Sequence, residues 1–175
     1  KPGATVVSAP QSHEALAVIE SVCQEKNARL LIVQKDIVWE RYRSQPKKQS
    51  YCIKGRLNNY SGSMPLLGTY QLENAATAIG ALEVLQEQGF KLTKQDFENG
   101  LRRVEWPCRM EVLGNSPLIV ADGAHNRYSI QLLIESLPIY FNYHNIILVT
   151  GINRDKSLDE IVGEIATLQP KVIVT

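Results

Sequence analysis

Cysteine is scarce and scattered in this sequence. Cys23, Cys52 and Cys108 are the three in 175 residues, an odd count with no CxxC pair. That spacing argues against a disulfide framework and against a cysteine-based zinc site, and it fits a reducing, cytoplasmic setting. Long apolar runs are lacking as well: none approaches the ~20 residues of a membrane-spanning helix, and Lys1-Pro2-Gly3 does not have the layout of a signal peptide. Neither sign of charge dominates. Nineteen Lys and Arg against 18 Asp and Glu leave a formal net charge of +1, so no broad attraction to nucleic acid or to acidic membranes is expected. Solenoid-period repeats and low-complexity tracts are missing. So are the GxGxxG dinucleotide fingerprint, the GxxxxGK(S/T) phosphate loop, a Ser-His-Asp order and a cluster of metal ligands.

What is present is an ordinary globular composition, 44% hydrophobic and 21% charged, enough to bury a core and remain in solution. The chain starts Lys-Pro-Gly rather than with Met, and Lys171 to Thr175 read as a strand with nothing after it. Both ends are therefore expected to be points where a longer protein is cut. Thr5 to Ser8 predict a strand. Ser12 is placed to cap a helix whose apolar stripe is Ala15, Leu16, Val18, Ile19 and Val22, and Leu30 to Val33 predict a buried strand. A strand–helix–strand unit of this kind implies parallel pairing. Asp36–Ser44 and Gln49–Leu57 predict antiparallel strands joined by the basic loop Gln45-Pro46-Lys47-Lys48. Asn58 to Gly62 has the composition of a turn. Gln71 to Gln88 predicts an Ala-rich helix closed by Gly89, its small residues suited to close approach. Thr93 caps a second helix with Phe97, Leu101 and Val104 inward.

Trp106-Pro107-Cys108 breaks the pattern and reads as a hinge or boundary. Beyond it, strands are expected at Met110–Leu113, Leu118–Ala121, Ile146–Thr150 and Lys171–Thr175, and helices at Tyr128–Leu137 and Leu158–Leu168. That alternation predicts a Rossmann-like sheet of about three parallel strands.

Four places could carry chemistry. In Leu118 to Asn126 a strand delivers Asp122 at its carboxyl end, where open α/β sheets bind ligands. Asp122 could accept from a ribose hydroxyl or hold a cation, and His125 could donate to phosphate or carry a proton near neutral pH. The same residues serve equally as a turn and a helix cap. Arg109 could reach a phosphate or stack on a base, or form a surface ion pair. Asn74, near the start of the Ala-rich helix, could pair with adenine or simply occupy a first-turn position. Gly151 to Ser157 follows a strand and opens a helix, which suits either an anion or a cap. His13 and His144 stand alone and are expected at the surface.

Taken together, the sequence resembles the folylpolyglutamate synthase and dihydrofolate synthase family, relatives of the Mur ligases. Lys1-Pro2-Gly3 with Pro10-Gln11 is similar to the family's KPG…VVSAPQ stretch. Leu66 to Ala76 is similar to its LxGxHQxxNAAxA signature, Trp106 to Glu111 to WPGRxE, and Asp122-Gly123-Ala124-His125-Asn126 matches DGAHN. Four matches in order cover essentially the whole chain. The sequence departs from the pattern at Cys108, where Gly is usual, at Arg127, where Pro is common, and at Tyr70, which replaces a His.

The resemblance implies an α/β fold: the C-terminal part of a Mur-ligase-type central ATP-binding domain over 1–106, then a truncated Rossmann-like C-terminal domain over 107–175. It implies an ATP-dependent ligase that phosphorylates the carboxylate of a folate or dihydropteroate and couples it to L-glutamate through an acyl phosphate. Asn74, Arg109 and Asp122 correspond to ATP-contacting residues, and His125 to a catalytic position near the phosphates or the incoming glutamate. The phosphate loop and the Mg2+ ligands are expected upstream of Lys1, with no metal ligand in this chain. The parent is expected to be a cytoplasmic monomer without nucleic-acid or membrane partners, and the 175 residues alone are expected to be inactive. Two other readings stay open. A Mur ligase acting on a peptidoglycan precursor fits the Asp-Gly-Ala-His-Asn form less well. A non-catalytic nucleotide-binding module does not explain four ordered matches.

Overall fold

The computed structural model describes residues 1–45, 47–153 and 157–174. The chain divides into two compact units, one comprising Lys1–Arg43, Lys48–Pro65 and Thr69–Val104, the other Ser44–Lys47, Leu66–Gly68 and Glu105–Thr175.

The first unit opens with β1 (Thr5–Ser8), α1 (His13–Glu25) and β2 (Arg29–Ile32). The Ser12 hydroxyl accepts the Ala15 N–H at 3.3 Å and so starts α1. The strands pair in parallel, Thr5 with Arg29 through Ser8 with Ile32. The apolar stripe of α1 is turned from the expected one: Ala15, Leu16 and Ile19 are half-buried and Cys23 is buried, while Val18 and Val22 are exposed. His13, at the start of this helix, is exposed, as is His144 in the second unit.

Next come β3 (Val38–Gln45), β4 (Lys48–Lys54) and β5 (Asn59–Met64), a sheet in that order. Of the expected basic loop, Gln45 ends one strand and Lys48 begins the next, and Pro46 lies outside the described residues. Of the expected turn at Asn58 to Gly62, Asn58 lies in the turn and Asn59 to Gly62 are instead the start of β5, antiparallel to β4 with Ile53 opposite Tyr60. Its polar composition misled because two anchors suffice: Tyr60 and Met64 are buried, and the Tyr60 ring stacks on Phe97 at a centroid distance of 5.0 Å.

Helix α2 (Thr69–Glu87) buries Leu72, Ala75, Ala76, Ile79 and Gly80. At Gly80 a Cβ would stand 2.9 Å from Ile37 Cδ1 and 3.0 Å from Val7 Cγ1, which is why a residue without a side chain sits there. Gly89, at φ +94°, closes the helix, and the Phe90 N–H returns to the Leu85 carbonyl at 3.1 Å. Helix α3 (Lys94–Arg103) begins with a capping box in which Thr93 and Asp96 satisfy each other's N–H groups. Leu31, Val33, Ile37, Ile53, Tyr60, Met64, Leu72, Ile79 and Phe97 form one core. Each large apolar side chain there contributes about 1.5–3 kcal/mol by burial.

A charged side chain penetrates this core. Glu83 is 0% exposed and accepts four hydrogen bonds. They come from the N–H groups of Arg56 (2.8 Å), Leu57 (3.0 Å) and Asn58 (3.2 Å) and from the Tyr60 hydroxyl (2.9 Å). The carboxylate thus closes the turn between β4 and β5. Gly55 is required beside it, because a Cβ there would lie 2.3 Å from Glu83 Oε1.

The second unit contains β6 (Glu111–Asn115), β7 (Leu118–Ala121), α4 (Arg127–Tyr140), β8 (Ile147–Val149), α5 (Leu158–Ala166) and β9 (Val172–Val174). β8 and β9 pair in parallel, but β6 and β7 pair antiparallel. About three parallel strands were expected, and among the described residues β8 and β9 are the parallel pair that forms in this unit. Two residues separate β6 from β7, enough for a hairpin, whereas a parallel crossover needs a dozen or more. Ile130, Ile161 and Ile165 form the apolar centre of this unit, with Ala124, Ile134, Leu148 and Ile152 packed against it. Arg127 pairs with Glu164 at 2.9 Å and ties α4 to α5. Of the loop Gly151 to Ser157, residues 154–156 lie outside the described residues. The three cysteines are free thiols. No described helix is long and apolar enough to cross a membrane.

Candidate functional site

In the second unit two short segments, 106–110 and 122–126, are laced together where the β6–β7 hairpin opens. Glu111 is opposite Ala121 in the register, so Met110 falls opposite Asp122. There the side chain takes over from the strand ladder. Asp122 Oδ2 accepts the Met110 N–H at 2.8 Å, and Oδ1 accepts the Ala124 N–H at 2.8 Å, closing a turn. The Gly123 N–H reaches the Cys108 carbonyl at 2.8 Å. The Cys108 N–H donates to Glu111 Oε2 at 2.8 Å. Cys108 (φ +57°) and Met110 (φ +49°) are both left-handed. The usual Gly of the resembling signature therefore corresponds to a backbone that Gly adopts freely and Cys108 adopts under strain.

Arg109 sits between those two residues. It is half-buried, and its guanidinium has no hydrogen bond or ion pair among the described residues. The surface ion pair that sequence alone allowed is thus not formed within the described chain. A cation held on a fixed loop without a counter-charge is suited to an anionic group from outside.

His125 is exposed, and its Nδ1 lies 2.9 Å from the Gly123 carbonyl. A carbonyl oxygen can only accept, so Nδ1 carries the hydrogen and Nε2 is left as the free proton acceptor of the neutral ring. The His125 N–H donates to Ser129 Oγ at 3.1 Å. Asn126 then caps α4 by accepting the Ser129 N–H at 2.8 Å, and the Ser129 hydroxyl closes the box. The cap reading and the ligand reading of this segment divide between residues: Asn126 and Ser129 do the capping, and the outer nitrogen of His125 is free.

The structure thus brings Arg109, Asp122 and His125 into one pair of loops in the second unit. Asn74 belongs to the first unit, exposed in the early part of α2. Its Nδ2 donates to Gln71 Oε1 at 3.1 Å. One N–H and Oδ1 remain, the donor and acceptor that bidentate adenine pairing uses. Next to it, burial raises the Glu73 carboxyl above its ordinary range. Glu111 and Ser129 were not singled out from sequence. The signals were present: an acid two residues after Arg109, and a hydroxyl three residues after the cap. Among the described residues no group of three or more His, Cys, Asp or Glu is placed to hold a metal ion.

No protein-family model matches the chain. Among curated proteins, the folylpolyglutamate synthase of Lacticaseibacillus casei is 40% identical over 103 residues, covering 58% of this chain and 23% of that protein. The dihydrofolate synthase/folylpolyglutamate synthase of Bacillus subtilis is 26% identical over 170 residues, covering 96% of this chain and 40% of that protein. Among solved structures, an FPGS–AMPPCP–folate complex superposes with a TM-score of 0.88 at 27% identity, covering 99% of this chain and 43% of that one. The relatives and structural neighbours of the chain are folylpolyglutamate and dihydrofolate synthases, its mixed α/β fold is theirs, and it spans less than half of their length.

Proposed function

We propose that this chain is part of an ATP-dependent ligase that adds L-glutamate to folates, to dihydropteroate or to both. Its residues 1–106 then form the C-terminal part of the central ATP-binding domain, and 107–175 the first part of the C-terminal domain. The observation that carries this reading is the superposition along 99% of the chain on a structure complexed with AMPPCP and folate. The free guanidinium of Arg109 and the spare donor and acceptor of Asn74 fit a nucleotide, which offers phosphate charge and an adenine edge.

The chemistry follows from the weakness of a carboxylate as an electrophile. A carboxylate oxygen attacks the terminal phosphorus of ATP, the bond to ADP breaks, and an acyl phosphate results. The deprotonated amine of glutamate attacks the acyl carbon, the C–O bond to phosphate breaks, and an amide and inorganic phosphate leave. Arg109 offsets charge on the phosphoryl oxygens. Asn74 reads the adenine. Asp122 approaches the nucleotide while its Oδ2 also holds the Arg109 loop. His125 Nε2 takes the proton lost by the attacking amine or, once protonated, donates to phosphate. Mg2+, where bound, would screen the phosphates, and no residue of this chain is assigned to it.

The parent is read as a cytoplasmic monomer without nucleic-acid partners, and the 175 residues alone as inactive, since the phosphate loop is not in this sequence. The test is a substrate panel on the parent ligase with MgATP and glutamate, comparing dihydropteroate with reduced folates, alongside the Arg109→Ala variant. Glutamate-dependent ADP release is expected with at least one acceptor. Loss of the charge-assisted contact should raise the KM for ATP by about tenfold or more. No ligation with any acceptor, or an unchanged ATP dependence in Arg109→Ala, refutes the reading. Ligation by the 175 residues alone refutes their inactivity.

A further inference from the structure

We propose that Glu111 is a positioning residue for Arg109: it acts on the backbone before the arginine, not on its charge, and so presents the guanidinium un-neutralised to the nucleotide. The inference rests on the ATP-site reading above.

Arg109 is flanked on both sides by left-handed residues that are not glycine, Cys108 at φ +57° and Met110 at φ +49°. Such a backbone is disfavoured at each position and persists only where its surroundings over-determine it. Three hydrogen bonds do so here, all at 2.8 Å: Cys108 N–H to Glu111, Met110 N–H to Asp122, and Gly123 N–H to the Cys108 carbonyl. The Met110 side chain, 1% exposed, anchors the far side. Asp122 and Gly123 belong to the facing loop. Glu111 is the fastener that comes from the strand itself.

Its geometry sets it apart from an ordinary ion-pair partner. Its carboxylate lies two residues from a free arginine, yet the bond it makes is to a main-chain N–H and not to the guanidinium. Salt-bridging Arg109 would cancel the charge that the loop displays. Gripping the Cys108 N–H fixes the direction of the chain and leaves the cation available. At Cys108 the fastener offsets strain that glycine would not incur at the same dihedral angles.

Acceptor and charge can be separated by substitution in the parent ligase. Glu111→Gln keeps an oxygen in place and removes the charge. Glu111→Asp keeps the charge and withdraws the oxygen by one methylene. If Glu111 positions the loop, Glu111→Gln should leave the KM for ATP within about twofold, while Glu111→Asp and Glu111→Ala raise it about fivefold to tenfold, the loss of one hydrogen bond. The KM for the folate acceptor should not change. Adding Cys108→Gly to Glu111→Ala should recover part of the ATP affinity, because the strain at Cys108 is relieved while that at Met110 remains. Neither a structural defect nor a direct charge effect would be rescued in that way.

Should Glu111→Ala fail to fold, the Asp and Gln pair decides alone. If Gln behaves like Ala while Asp behaves like wild type, charge is what matters and the positioning role is overturned. It is overturned equally if Arg109→Ala raises the KM for ATP but both Glu111→Ala and Glu111→Asp leave it within about twofold. The ATP-site reading would then stand. If Arg109→Ala has no effect on ATP, that reading fails first.

Discussion

Glu83 offers the sharpest test of how the first unit is held together. Removing its carboxylate by Glu83→Ala leaves four donors without their acceptor: the N–H groups of Arg56, Leu57 and Asn58 and the Tyr60 hydroxyl. The three amides lie in a turn that water partly reaches, so each loses about 1 kcal/mol, and the fully buried hydroxyl loses about 1–2 kcal/mol. The sum, about 4–5 kcal/mol, matches what breaking a buried charged network costs elsewhere and is a large part of a typical domain's stability. Glu83→Gln should cost less, about 2 kcal/mol. Its oxygen can still serve Leu57, Asn58 and Tyr60, but its amide nitrogen meets the Arg56 N–H donor to donor. Glu83→Met, similar in volume, should follow Ala, because the stranded partners are main-chain groups that cannot be repacked away. Urea unfolding followed by circular dichroism gives the free energies, and hydrogen exchange at Arg56, Leu57 and Asn58 reports whether the loss is local. An Ala variant within about 1 kcal/mol of wild type would show that the turn is not held by this carboxylate, and would refute the reasoning.

Two further outcomes follow from the same unit. Gly80→Val should destabilise by at least about 2 kcal/mol in the same assay, since even a Cβ there meets Ile37 at 2.9 Å and Val7 at 3.0 Å, and the core is already filled. An unchanged midpoint would mean that α2 does not pack closely on these residues. The Glu87 carboxyl is held below its ordinary range by its hydrogen bond from Arg56, with Arg29 adding to the effect. A depressed folded value means that its stabilisation is present above the unfolded carboxylate range of about 4.3 and is lost as pH falls through the lower folded value. Glu87→Gln should flatten that acid-side loss, and identical pH profiles of unfolding would contradict the pairing.

Much of the first unit was legible because its signals are local. Ser12 and Thr93 announce helix starts, Gly89 announces an end, and the short apolar runs around α1 imply parallel pairing, all from neighbours in sequence. β5 was not legible: Tyr60 and Met64 become core residues through β4 and Phe97, partners that periodicity over six residues does not reveal. The stripe of α1 was misread at Val18 and Val22 because apolar composition says where a face could be, not which face the sheet covers. In the second unit the short strand runs carried no pairing information, and the two-residue link between β6 and β7 was the overlooked clue. At the candidate site, the place of Asp122 at a strand end could be read directly. That both its oxygens are engaged by Met110 and Ala124 could not, since Met110 arrives through the hairpin register.

Helix α2 joins the carboxamide of Asn74 to the buried carboxylate of Glu83. The two lie nine residues apart on it, about 13 Å along a rigid axis. The far end is keyed in two ways: Glu83 is locked into the β4–β5 turn, and Gly80 lies against Ile37 and Val7. A helix keyed both along and about its axis acts as a gauge rod, and the carboxamide of Asn74 is its tip. Where that tip stands is set by the buried Leu72, Ala75 and Ala76 beside it and, at the far end, by a glycine-bearing turn that resembles an ordinary surface loop. Substitutions at Gly55 through Asn58, in the β4–β5 turn, are therefore expected to be felt at Asn74 through Glu83.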